Sequence, residues 1–399
     1  MLDAVFDFDA LVDRRHTDSV KWAGAEHKFG KAVFPMWVAD MDFPAAPCVM
    51  RALERRLAEP VLGYPDHDEM VQEAARGWWR GRYSWEVHPE EVILVQGVVP
   101  ALYAAVRAFS RPDDGVIIMP PIYPPFFAAV EAQGRNLISV PLRPDATGRY
   151  SMDFAALETQ LPHARMLLLC SPHNPVGRVW TRDELQKLIS LCAQHGVQIV
   201  SDEIHADLAQ PNHPHTPLGQ LDSEAVVLAA ASKSFNIAGL GGGVVWLRGA
   251  ARKQTLVTEL RRSGNLGTHT FAKAAMTAAW QEGAVWLQAL QNYLASNAQF
   301  LQSYLKDHLP DLGFRIPDFG YLAWLDLHTW GLTDAELEAR ILDAGLGLNW
   351  GPSFGSGGSG FVRLNYGTPR RQLLHGLDLL RQAAPLHAKA GASTQGCRL

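Results

Sequence analysis

The residues with chemical potential lie in three short stretches, each directly after an apolar run. Ala231-Ser232-Lys233-Ser234-Phe235-Asn236 puts a lysine amine behind the run 225–230. Ser201-Asp202-Glu203-Ile204-His205 puts a carboxylate behind 197–200, and Ser171-Pro172-His173-Asn174-Pro175-Val176-Gly177 puts an amide in a proline-restricted turn behind 166–170. Singly, each has an ordinary use as a solvated lysine, a helix cap or a turn former. Together they offer a nucleophilic amine, an anion and a neutral hydrogen-bonding group, equipment for attaching and polarising an electron-withdrawing ring.

Pyridoxal phosphate suits that set. Lys233 supplies the amine for covalent attachment, and an ionised Asp202 keeps the ring nitrogen protonated, because a nearby opposite charge raises its pKa. Asn174 can hydrogen-bond the phenolic oxygen. The phosphate needs donors at a helix start. Gln96-Gly97-Val98-Val99-Pro100 follows the run 92–95 and opens an apolar helix expected over 101–109. The amides of Val98 and Val99, backed by the helix dipole, lie where a phosphate would sit. The Ser232 hydroxyl adds a donor, and Tyr123, in Pro120-Pro121-Ile122-Tyr123-Pro124, can stack on the ring.

The elements that must position these residues can be read from the same runs. Seven of them (92–95, 116–119, 137–140, 166–170, 197–200, 225–230 and 243–247) lack polar alternation, the pattern of strands buried on both faces of a parallel sheet. Most gaps hold a crossover helix; Thr181 and Glu184 frame one with a capping box. The gap 230–243 is short and Gly-rich at its end, so the seventh strand is expected antiparallel. The predicted fold class is α/β: a seven-stranded, mostly parallel sheet with helices on both faces, binding ligands at the strands' carboxyl ends. Beyond residue 280 the pattern becomes that of a smaller α+β lobe, with a helix over 284–309, a second starting at Thr333 with Glu336, and a strand over 361–364. A Gly/Ser loop, 355–360, is expected to flex beside Arg363. Residues 48–283 are assigned to a large cofactor-binding domain, and 1–47 with 284–399 to the small one. Residues 388–399 are expected to fray.

Composition narrows the class. With 36 Lys+Arg, 41 Asp+Glu and a net charge of −5, there is no electrostatic footprint for nucleic acid. Charged residues at 19% and hydrophobic ones at 47% exclude a disordered chain, and no apolar run is long enough for a membrane span. The acidic start, MLDAVFDFDALVDRR, has no signal-peptide pattern, and Cys48, Cys170, Cys192 and Cys397 have no ligand spacing, so a reducing cytoplasm is expected. His205, Asp207, His213 and His215, interrupted by Pro211 and Pro214, read as a surface loop rather than a metal site.

Ser-Pro-x-Asn-Pro-x-Gly at 171–177, Ser-Asp-Glu-Ile-His at 201–205 and Ser-Lys-Ser-Phe-Asn at 232–236 resemble the fold-type I pyridoxal-phosphate enzymes of the aminotransferase class I/II superfamily. Pro35-Met36-Trp37-Val38-Ala39-Asp40-Met41-Asp42-Phe43, with Gly97-Val98-Val99-Pro100-Ala101-Leu102, is similar to the MalY/PatB-type cystathionine β-lyases, over residues from about 6 to about 381. The resemblance implies that Lys233 carries the cofactor and removes the Cα proton, with Tyr123 beside it in the catalytic set. Asp202 pairs with the ring nitrogen, Asn174 with the phenolic oxygen, and His205 joins the cofactor-binding residues. Arg363 clamps the substrate α-carboxylate, with Trp37 and Ala39 at the substrate. Tyr64 reaches the phosphate of a neighbouring subunit, which implies a homodimer. The implied reaction is β-elimination from cystathionine or another small cysteine S-conjugate. An aminotransferase, which shares every step to the carbanion, is the alternative, and a cofactor-binding regulator acting through a partner is the second. Aspartate-type aminotransferases carry a serine three residues before the lysine and an arginine eight after it; Ala230 and Gly241 stand there, a departure that favours the lyase branch.

Overall fold

The computed structural model describes residues 6–66 and 68–385, so the first five residues, Cys397 and the tail expected to fray lie outside the described residues. Seven strands form the central sheet: β1 Val92–Val95, β2 Gly115–Ile118, β3 Asn136–Ser139, β4 Ala164–Cys170, β5 Gln198–Asp202, β6 Val226–Ala229 and β7 Gly243–Trp246. Their order is β1-β7-β6-β5-β4-β2-β3. Strands β2 to β6 pair in parallel, and β7 runs antiparallel to both β1 and β6. All seven apolar runs have become strands, and the short gap has reversed the last one.

Alternate residues of these strands feed two cores. Val92 and Leu94 join one with Trp78 and Trp79 of helix α1 (Asp68–Tyr83), while Ile93 and Val95 join another with Ala101 and Leu102 of α2 (Val98–Phe109). Apolar side chains on both faces explain why the runs show no polar alternation. Helix α2 starts three residues before the expected Ala101, because the Gly97 carbonyl accepts the Ala101 amide at 3.1 Å and closes a turn already at Val98. The capping box forms at α3 (Arg182–Gln194), with Thr181 accepting from the Glu184 amide at 3.2 Å.

The C-terminal part builds a four-stranded antiparallel sheet from β8 Gly313–Phe314, β9 Leu322–Asp326, β10 Asn349–Trp350 and β11 Phe361–Asn365, ordered β8-β9-β11-β10. Phe34–Pro35 pairs in parallel with Leu346–Gly347, which ties the start of the chain to this part. Two expectations fail here. The Gly/Ser loop is packed rather than slack: Ile122 donates to the Phe354 carbonyl at 2.9 Å, and a Cβ on Gly358 would lie 2.0 Å from the Gly351 oxygen. The segment 205–215 is a surface loop only in part: Pro211, Asn212 and Pro214 are exposed. His205, Asp207 and His215 are buried, because Glu203 pairs with His215 at 2.8 Å and Asp207 accepts from Trp78 at 2.9 Å and Tyr83 at 2.8 Å. Among the described residues no helix is long and apolar enough to cross a membrane.

Candidate active site

The carboxyl ends of β1, β4, β5 and β6, with the segment after β2, open into one cavity of about 220 Å³. Strand β5 ends on Asp202, which is 6% exposed and accepts the Ile204 amide at 3.1 Å. Burial pushes its carboxyl up to about 7, against the pull of that amide and the Lys233 amine. A buried carboxylate on a cavity wall is a place for a cationic group to sit.

Lys233 follows β6. Its Nζ donates to the Ala39 carbonyl at 2.8 Å, and burial, helped by the Arg363 charge, lowers the amine to about 8. The loop that carries it is fastened on both sides. Ser234 Oγ donates to Asp207 Oδ2 at 3.1 Å. Asn236, at φ 55°, accepts the Met41 amide at 2.9 Å and donates to the Phe43 carbonyl at 2.7 Å.

Asn174 Oδ1 accepts from Arg363 at 3.0 Å. Arg363 sits on β11, 2% exposed, with a second guanidinium nitrogen donating to the Trp37 carbonyl at 3.0 Å. Its Nε has no partner among the described residues, and burial lowers the group to about 10. The Phe354 ring lies 5.0 Å beneath it.

Val98 and Val99 are the first two residues of α2, so their amides lack intrahelical acceptors, and both residues line the cavity. Pro100, next in line, has no N–H. Ser232 lies beside them. Gly241 lines the same end with φ 62° and ψ −153°, a conformation nearly closed to side chains, and an added Cβ would meet the Gln96 oxygen at 3.0 Å. A side chain such as the arginine of aspartate-type enzymes would be strained in this backbone. His205 lines the opposite wall, neutral, because burial and the charges of Lys233 and Arg363 lower its imidazole to about 3. Its Nδ1 has no partner among the described residues. Tyr123 also lines the cavity, and burial raises its hydroxyl.

The structure thus brings Lys233, Asp202, Asn174, Tyr123, Val98, Val99, Ser232, His205 and Ala39 to one cavity, with Arg363 joined through Asn174. Two expected residues lie apart from it. The Trp37 indole turns to the Lys21 carbonyl at 3.3 Å and to Phe29, so its carbonyl rather than its ring meets Arg363. Tyr64 is fully exposed on a surface groove with Arg55, Arg56 and Lys273. Sequence reasoning missed Tyr321, whose hydroxyl donates to the Ala39 carbonyl at 3.0 Å, and Arg14, which pairs with Asp40 at 2.6 Å. Their partners lie hundreds or tens of residues away, and only Tyr321, a polar residue among apolar ones, carried a local signal.

Residues 33–380 match the family described as aminotransferase class I and II. The chain is 41% identical over 385 residues to cystathionine beta-lyase PatB of Bacillus subtilis (strain 168), covering 94% of this chain and 99% of that protein. It is 35% identical over 381 residues to protein MalY of Escherichia coli (strain K12), covering 94% and 97%. The crystal structure of cystalysin from Treponema denticola, which contains a pyridoxal 5'-phosphate cofactor, superposes with a TM-score of 0.92 at 31% identity, covering 95% of this chain and 98% of that one. The fold is that of the fold-type I enzymes. With matches over nearly its whole length, the chain belongs to the aminotransferase class I and II family, and within it is similar to the PatB and MalY proteins.

Proposed function

We propose that this protein is a pyridoxal-phosphate-dependent carbon–sulfur β-lyase acting on cystathionine or another cysteine S-conjugate and releasing thiol, pyruvate and ammonia. The observation that carries the reading is the convergence of Lys233, Asp202 and the Asn174–Arg363 pair on one cavity. The cavity fits the cofactor: Asp202 is a buried carboxylate suited to a ring cation, the Val98 and Val99 amides are free for a phosphate, and the Lys233 amine is at hand for the aldehyde. When bound, pyridoxal phosphate supplies an electron sink for the pair left at Cα.

The chain's own residues do the rest. Arg363 takes the substrate α-carboxylate with its unpartnered Nε, which fixes the orientation of the Cα–H bond. The Lys233 amine, eased toward its neutral form by burial, accepts the Cα proton at Nζ. The Cα–H and Cβ–S bonds break, the thiolate departs with the C–S pair, and the remaining enamine hydrolyses to pyruvate and ammonia. Asn174 would hydrogen-bond the phenolic oxygen of the bound cofactor, and His205, a neutral ring, and Tyr123 would line the same cavity around it. Gly241 supports the lyase over an aspartate-type aminotransferase, because its backbone conformation strains any side chain, a cationic one included. The PatB and C–S lyase relatives support the same choice.

Further parts of the reading are a homodimer in which Tyr64 completes the neighbouring phosphate site, a large domain over 48–283 with both chain ends forming the small one, and a cytoplasmic location. The exposed apolar residues around Tyr64, the pairing of Phe34–Pro35 with Leu346–Gly347 and the three buried free thiols support these in turn. The test is to give purified, cofactor-loaded protein L-cystathionine. Thiol and pyruvate should appear over many turnovers. A reaction that stalls after one turnover until a keto acid is added makes it an aminotransferase.

A further inference from the structure

The segment 37–43 runs past the cavity as a strap, and its successive carbonyls are held by Arg363 and Lys233 and by Asn365, Tyr321 and Asn236. The Trp37 carbonyl accepts from Arg363 at 3.0 Å, Val38 from Asn365 at 2.6 Å, and Ala39 from both Lys233 at 2.8 Å and Tyr321 at 3.0 Å. Asn365 reaches on to the Asp40 carbonyl at 2.7 Å, and Asn236 to Met41 at 3.0 Å. On its outer side the strap is clamped by charge. Arg14 bonds Asp40 Oδ2 at 2.6 Å and Asp42 Oδ1 at 3.1 Å, and the fully buried Lys21 bonds Asp42 Oδ2 at 2.7 Å. One atom in this lattice is left over. Asp40 Oδ1 is buried and has no hydrogen-bond partner among the described residues. A buried carboxylate oxygen without a donor is costly and needs a reason.

We propose that Asp40 is a positioning residue for Lys233: clamped by Arg14, it fixes the Ala39 carbonyl on which the free ε-amine docks and sets its carboxylate charge behind that carbonyl. The idea rests on the reading of Lys233 as the cofactor-binding lysine. Between turnovers of attachment the amine needs a place to wait that keeps it aimed at Cα. The Ala39 carbonyl is that place, and the Tyr321 hydroxyl bonds the same oxygen. Asp40 opposes the other influences on the amine. Burial and Arg363 drive it toward neutrality, while Asp40 and Asp202 favour the charged form. The remaining groups around Lys233 are the neutral His205, and Tyr123 and Tyr321, both held protonated by burial. Asp40 itself faces Arg14 and Lys21 on the outer side.

The test titrates the amine directly. Apoprotein is labelled with an amine-reactive reagent at graded pH, and modification of Lys233 is quantified by peptide mass spectrometry, alongside the visible absorbance of cofactor-loaded protein. Asp40→Asn should move the Lys233 midpoint down by about one unit, the low end of what one nearby opposite charge contributes. Arg14→Gln leaves the Asp40 charge uncompensated and should move the midpoint up; it also serves if Asp40→Asn fails to fold. A midpoint unmoved in either variant, or lowered in both, overturns the proposal, because loosening the strap alone gives no opposite shifts. If the wild-type visible band survives Lys233→Ala, the reading of Lys233 itself fails, a separate outcome.

Discussion

Lys233 and Asp202 show how burial turns common side chains into reagents. The cavity lowers the lysine amine to about 8 and raises the aspartate to about 7. For the base, the sign is direct: neutral amine accumulates as pH rises, so the rate with cystathionine should climb up to about pH 8 and level above it. A flat profile between 6.5 and 8.5 removes the free amine as the base. For stability of the apoprotein the sign is the reverse of the usual carboxylate. Asp202 holds its proton more tightly folded than unfolded, where carboxyls titrate near about 4. Its contribution is therefore full below about 4 and is lost as pH rises to about 7. Urea midpoints of the apoprotein should show Asp202→Asn gaining on wild type across that window, and a constant difference refutes the burial argument. Arg363 is fixed by two hydrogen bonds from separate guanidinium nitrogens, which a lysine cannot copy. Arg363→Lys should lower kcat/KM by about ten- to a hundredfold, the worth of one charge-assisted bond, with KM carrying most of it.

Among the elements, β6, the lysine loop and β7 form the unit that sequence described best. The short Gly-rich gap demanded reversal of β7, and β7 does pair antiparallel with β1 and β6. Within that gap the decisive position is Gly241, at φ 62° and ψ −153° beside the Gln96 carbonyl. Gly241→Ala should destabilise the protein by about 1–3 kcal/mol, the cost of forcing a side chain into such a backbone. Denaturant unfolding with and without cofactor measures it, and a neutral result means that the loop relaxes freely. Elsewhere the local signals had limits. Glycine and serine in 355–360 suggested slack, yet those glycines let two backbone segments approach more closely than any Cβ allows. The prolines of 211–214 suggested surface, and Pro211 and Pro214 are exposed, yet the flanking His205, Asp207 and His215 are buried, because Glu203 and Asp207 bond across the fold.

At the scale of the whole molecule, the exposed apolar residues Leu57, Val61, Leu62, Tyr64 and Met70 fall in one stretch beside a groove lined by Arg55, Arg56 and Lys273. Patches of that kind mark interfaces. Light scattering should give twice the 43.9 kDa chain mass, and Leu62→Asp should yield monomers that bind the cofactor more weakly. Monomers with undiminished affinity would show that no subunit lends Tyr64 to its neighbour. What the amino-acid order determined alone were the seven strands and the types and strand ends of Lys233, Asp202 and Asn174, because strand burial and the residues just past a strand are local properties. Tertiary structure alone decided that Arg363, some 190 residues from Asn174, lies 3.0 Å from it, that Trp37 offers its carbonyl rather than its ring, and that the strap seats the lysine amine. Those contacts depend on how the segments 37–43 and 361–365 dock against the seven-stranded sheet, and no periodicity within either segment encodes the docking.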